Sequence, residues 1–259
     1  MIIKKSPAEV DAMAAAGEIL VQTMDLLAGK IRPGVTTAEL DAAAEKFIRS
    51  QGATPAFKGY RGFPGSICAS PNDMVVHGIP GRFKLKRGDI LSVDIGVVKD
   101  GWVADAARTF GVGDVSPVAA KLMEVTSGAL FAAVEQCRAG NRLGDVSHAV
   151  QEHVEAEGFS IVRSLVGHGV GRDMHEEPQV PNYGPAGKGV PLEEGMVLAV
   201  EPMVTAGRHM VRMGDDGWAI YSQDGSLAAH FEFTIAITAS GPRVLTPWHH
   251  PDRAAAAAA

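Results

Sequence analysis

Gly88-Asp-Ile-Leu-Ser-Val-Asp94 and Gly195-Met-Val-Leu-Ala-Val-Glu201 stand 107 residues apart and read alike: a glycine, a short apolar run of strand character, then a carboxylate. A carboxylate near the end of an apolar strand is costly to bury unless its charge is compensated. Two of them at matching positions point to one compensating partner for both, and a shared metal centre is the economical choice. The likeness extends upstream. Gly34 to Gly52 matches Gly140 to Gly158 at an offset of 106, glycine to glycine, with helical apolar spacing between. Further back, Ser6-Pro7 and Ser116-Pro117 each open a helical pattern, serine as N-cap and proline at the first helical position. The period is far longer than the roughly 20–50 residues of a solenoid. The chain therefore reads as two related halves, about 6–110 and 116–238, sharing one core.

The remaining elements follow from this frame. Helices are expected over 6–31, 36–51, 116–138 and 143–157, and residues 52–81 read as loop and short strand. Strands over 89–98 and 102–110 are joined at Asp100-Gly101, a strong hairpin-turn pair. A two-residue turn there sets Asp94 opposite Ala107. Asp105 then lies on the face of Asp94 as a diagonal neighbour, roughly 7–8 Å away. The final third is expected to be mostly strand and loop.

Composition sets bounds. The chain has 259 residues, 46% apolar and 21% charged, which is ordinary for a globular protein. A net charge of −6 argues against a dedicated nucleic-acid binder, so no DNA partner is expected. No apolar run reads as the roughly 20 residues of a membrane span, and Met1-Ile-Ile-Lys-Lys-Ser is too short for a signal peptide. Two cysteines, Cys68 and Cys137, allow neither a disulfide framework nor a cysteine zinc site. The expected compartment is the cytoplasm. Residues 1–247 are expected to form a single catalytic domain, with 248–259, including His249, His250 and six alanines, as a disordered tail.

Chemistry-bearing residues recur beside the repeat. Glu232, in Ala-His-Phe-Glu-Phe-Thr-Ile, alternates within an apolar strand. His168 and His175 lie seven residues apart in a glycine-rich stretch that is not H-E-x-x-H, and His77 sits between loop signals. No Lys-Ser/Thr follows the Gly-x-Gly-x-Gly, which argues against a phosphate loop. No Gly-x-Ser-x-Gly elbow is present for a nucleophilic serine. Cys68 reads as a lining residue. Three or four carboxylates with one or two imidazoles suit Mn, Fe, Co or Zn. Two such ions bridged by carboxylates clamp both sides of a displacement and lower the pKa of a water between them.

The segments Cys68–Pro80, Asp89–Gly96, Gly167–Arg172, Met174–Val180, Val197–Met203 and Phe231–Ile235 together resemble the type I methionine aminopeptidases, along about residues 2–246. The resemblance implies the α/β (α+β) pita-bread fold: two pseudo-two-fold halves with a central, mostly antiparallel curved sheet covered by helices. It implies two divalent metal ions, one held by Asp94, the other by His168 and Glu201, both bridged by Asp105 and Glu232. A hydroxide between the ions would attack the first peptide bond. Glu201 would move the proton, His175 would stabilise the tetrahedral intermediate and His77 would contact the scissile amide. Tyr60, Phe63, Cys68, Met174 and Trp218 would line the methionine pocket. The implied activity is removal of initiator methionine from peptides and nascent chains whose second residue is small. A monomer is expected. Contact with the ribosome is expected from the domain itself, Arg208, His209 and Arg212 being candidates. Xaa-Pro peptidases share the fold and ligands but usually carry a further N-terminal domain. Three positions depart from the family pattern: Phe231-Glu232-Phe233 where Tyr-Glu-His is frequent, Met174 where an aromatic is common, and Ala104 where glycine often stands.

Overall fold

In the computed structural model residues 1–248 are described, and the expected disorder of 249–259 lies outside them. Two pairs of helices carry the repeat. The long ones, α1 (Pro7–Ala28) and α3 (Pro117–Gln136), both start from a serine cap followed by proline. Ser6 accepts from the Glu9 N–H at 3.4 Å, and the Glu9 carboxylate returns the bond to the Ser6 N–H. Ser116 accepts from the Ala119 N–H at 3.3 Å. The short ones, α2 (Thr37–Ser50) and α4 (Leu143–Ala156), have 14 residues each. All four end within three residues of their expected limits, the ordinary spread at helix ends.

The halves also repeat bond for bond between helix and acidic strand. Gly34 N–H donates to Leu85 O at 2.8 Å, and Gly140 N–H to Leu192 O at 3.1 Å. Leu85 N–H returns to Val35 O, and Leu192 N–H to Asn141 O, both at 2.8 Å. An isolated antiparallel bridge joins Thr36 to Lys84, and another joins Arg142 to Pro191.

The first acidic strand, β4 (Ile90–Lys99), pairs with β1 (Thr54–Pro55), with β2 (Cys68–Pro71) and, along its whole length, with β5 (Trp102–Gly111). The second, β9 (Val197–Val200), lies in a sheet ordered β15-β14-β9-β7-β8, where β7 is Gly167–Gly169, β8 Glu176–Val180, β14 Phe233–Thr238 and β15 Gly241–Val244. Two small sheets complete the described strands. One joins β6 (Ser160–Ile161), β10 (Met203–Thr205) and β13 (Ala228–His230); the other joins β3 (Met74–Val76), β12 (Ile220–Ser222) and β11 (Val211–Met213). Every pairing among the described strands is antiparallel, in keeping with the mostly antiparallel sheet expected.

The two sheets are stitched where they meet. Glu232 N–H donates to Ala107 O at 2.9 Å; the Thr234 hydroxyl accepts from Asp105 N–H at 2.9 Å and donates to Asp105 O at 2.7 Å. Thr109 makes the same double contact with the backbone of His230, at 2.9 Å each way. One apolar core draws on both halves, with Leu20, Leu40, Val93 and Ile95 from the first and Leu122, Val146, Leu198 and Ile235 from the second.

Two expectations need correction. Trp248 is not the start of a tail: it is 1% exposed, stacks obliquely on Phe231 and Phe233, and donates its indole N–H to Glu232 O at 3.2 Å. Such packing against residues far back in the chain leaves no local signal. And α3 is long and apolar enough by length and composition to cross a membrane, with a mean hydropathy of 1.3. Its apolar residues Leu122, Val125, Ala129, Leu130 and Val134 are buried in the core, which accounts for that hydropathy.

Candidate active site

The hairpin decides where the first acids go. Asp100 and Gly101 both take positive φ, 51° and 78°, so the turn has two residues and the register is fixed. Asp94 faces Ala107 and Gly96 faces Asp105, which leaves Asp94 and Asp105 on one face, as expected. In the other sheet, Glu201 and Glu232 flank the Val200–Phe233 pair at the end of the β9–β14 ladder. His168, from β7, pairs with Ala199 on the other side of β9. All five side chains line one cavity of about 180 Å³, smaller than the roughly 300–1,000 Å³ that drug-sized ligands occupy. His77, His175, Tyr60, Phe63, Cys68 and Trp218 line the same cavity.

The donor set fits a cation. Donor atoms of Asp105, His168 and Glu232 lie within 4.8 Å of one another. The His168 Nδ1 donates its proton to Gly169 O at 2.9 Å, because a carbonyl can only accept. That leaves a lone pair on Nε2, which stands 3.9 Å from Asp105 Oδ2 and 3.7 Å from Glu201 Oε1. These gaps are too long for hydrogen bonds. Asp94 Oδ1, Asp105 Oδ1 and Glu232 Oε1 are buried without a hydrogen-bond partner, a costly state that an ion between them relieves.

Burial governs the protonation of these groups. It pushes Asp94, Glu201 and Glu232 well above the usual carboxylate range, and Asp105 adds to the shift of each. Asp105 itself is pushed up to about 7, again by burial. Burial, with His175 nearby, pushes His168 down to about 4, so its imidazole is neutral and able to ligate. A bound cation reverses the balance for the acids, which then ionise and release protons.

The pocket differs from expectation in three places. Met174 is not in the wall. It is 5% exposed within a cluster with Val10, Met13, Trp102 and Val170, and it packs behind Gly96, where an added Cβ would stand 2.8 Å from its Cε. Phe57 and Arg61 line the cavity instead, although nothing in their sequence setting sets them apart from their neighbours. His230, outside the candidate set of the sequence, is 2% exposed with Nε2 3.5 Å from Glu201 Oε2 and 3.9 Å from Glu232 Oε2. A signal existed for it: His230 has the parity of Glu232, so alternation puts both on one side. Cys68 pairs with Asp94 across β2 and β4, and burial pushes its thiol well above the usual range, which suits a wall and not a nucleophile. His77 stands in the left-handed region at φ 60°, strain of the kind that gathers at functional sites.

The model of metallopeptidase family M24 matches residues 11–239. The methionine aminopeptidase of Clostridium perfringens is 53% identical over 246 residues, covering 95% of this chain and 99% of that protein. Methionine aminopeptidase 1 of Bacillus subtilis is 52% identical over 246 residues, with the same coverage. The crystal structure of the methionine aminopeptidase from Rickettsia prowazekii superposes with a TM-score of 0.94 at 41% identity, covering 95% of this chain and all of that one.

Proposed function

The chain belongs to metallopeptidase family M24, and from that premise we infer that it is a metal-dependent aminopeptidase that removes N-terminal methionine from peptides and proteins. The observation that carries this reading is the convergence of four acids and the Nε2 lone pair of His168 on one small cavity. Asp94, Asp105, His168, Glu201 and Glu232 would hold two divalent ions, Co, Mn, Fe or Zn. Such ions supply Lewis acidity and acidify water.

The chain's own groups do the rest. Glu201, ionised once a cation is bound beside it, would take a proton and pass it to the leaving amine. His175, in the cavity lining, would donate to the carbonyl oxygen as charge grows there, and His77 to the scissile amide. Phe63 and Trp218 meet edge to face, with centroids 5.1 Å apart, and with Tyr60 and Cys68 they offer an apolar, polarisable wall to a thioether. Met174 would support that wall from behind. Action on nascent chains in the cytoplasm, as a monomer, completes the proposal, with the exposed Arg208, His209 and Arg212 as the ribosome-facing charges.

The test is hydrolysis of a Met-Ala-Ser peptide against an Ala-Pro peptide. Wild-type protein should release methionine, lose activity on chelation and regain it with Mn or Co. Glu201→Gln should lower turnover by about 10²–10⁴-fold, the worth of a positioned proton carrier. Preference for the Xaa-Pro peptide, or a fully active Glu201→Gln protein, would overturn the reading.

A further inference from the structure

Tyr60 was expected to be a wall of the pocket, yet its hydroxyl is not spent on the wall. Tyr60 Oη lies 2.9 Å from His175 Nδ1, and the two rings stack at 22° with centroids 5.5 Å apart. The loop that presents it is held at several points. Gly59, Arg61 and Gly62 all have positive φ, at 85°, 49° and 90°, so the chain is bent sharply on both sides of Tyr60. Arg61 is a bulky residue in that region, a conformation that persists only when its surroundings impose it. The Asp41 carboxylate, from α2, accepts the backbone N–H groups of Ser66 at 2.7 Å and Ile67 at 3.1 Å. Lys58 is tied to Glu45 of the same helix at 2.5 Å. On its other side, His175 lies against His168, ring centroids 4.2 Å apart.

We propose that Tyr60 is a positioning residue: it donates its hydroxyl proton to His175 Nδ1, which keeps the ring's own proton on Nε2. Of the two ways to make this bond, a phenol donating to an imidazole nitrogen joins the stronger acid to the stronger base. The reverse would leave the phenol proton without a partner in the protein. With Nδ1 engaged, Nε2–H is the donor left to His175, and the ring cannot turn over without breaking the bond. A histidine meant to donate to a developing oxyanion needs its tautomer and ring plane set in this way. The proposal rests on the reading that His175 acts on the substrate.

Tyr60→Phe removes one oxygen and keeps the ring. Turnover of a Met-Ala-Ser peptide should fall about 10–100-fold, the usual cost of losing a group that orients a functional histidine, while KM changes far less. In a His175→Ala background the same change should cost nothing further, since the two act as a unit. In the metal-free protein, the His175 Nδ1 nitrogen resonance should move in Tyr60→Phe as its hydrogen bond is lost. If His175→Ala left turnover intact, the reading of His175 would fail. If His175→Ala lowered turnover while Tyr60→Phe only raised KM, multiplied the His175→Ala loss, or left the Nδ1 resonance in place, the positioning role itself would fail.

Discussion

In the first half of the molecule Asp94 occupies the fifth position of a ten-residue strand, with a neighbour on each side: Cys68 on β2 and Ala107 on β5. In the second half the equivalent Glu201 lies just past a four-residue strand, at the end of its ladder. The first half delivers both its acids from one hairpin whose register is set by two turn residues. The second delivers Glu201 and Glu232, 31 residues apart in sequence, from two separate strands aligned by pairing, by the Thr109 hydroxyl on the His230 backbone and by the Glu232 N–H on Ala107 O. The histidines are also divided unequally. Ser92 and Ala199 are equivalent positions; the first pairs with Ser70, the second with His168. A duplicated scaffold thus supplies acids from both sides, while the imidazole nitrogen proposed as a ligand, His168 Nε2, comes from the second half.

That division can be broken directly. His168→Ala should cut metal content and lower turnover by more than the roughly 10–100-fold that losing a mere supporting group costs. Ser70→Ala, at the matching place, removes only an acceptor for the Gly78 N–H, now bonded at 3.0 Å, and should leave metal content unchanged. Metal analysis of the two purified variants decides between them, and equal losses would erase the asymmetry.

A smaller effect sharpens the comparison at the glycines that open the repeat. Gly88 and Gly195 share positive φ, 94° and 87°, so alanine at either costs about 1–2 kcal/mol in backbone strain. A Cβ at Gly88 would meet only Asp114 O, at 3.9 Å, whereas at Gly195 it would stand 2.7 Å from the backbone oxygen of Lys5. Urea unfolding should show Gly195→Ala as clearly the more destabilising. Equal losses would mean that the backbone of Lys5 does not pack against Gly195.

Much of this was legible in the chain. The turn chemistry of Asp100-Gly101 fixed a register, the register fixed a parity, and the parity placed Asp105 beside Asp94. The helix ends could be read from Ser6-Pro7 and Ser116-Pro117 because caps are local. What escaped depends on partners distant in sequence. Trp248 is buried by Phe231 and Phe233, and Met174 is set behind Gly96 by Trp102 and Val170, so neither position could be judged from its neighbours. The short strands of the final third, three to six residues from β9 onward, carry too little alternation to be read singly. The nature of the scissile bond was never in the spacing: it entered through the family motifs.

The central claim is that two halves feed one metal centre, and the most direct measurement is anomalous diffraction from crystals grown with Mn. Two peaks are predicted, roughly 3.5–4 Å apart as in other two-metal hydrolases. One should lie beside Asp94 and the other beside His168 and Glu201, with Asp105 and Glu232 reaching both. A single fully occupied peak, or two peaks that share no carboxylate, would contradict the account.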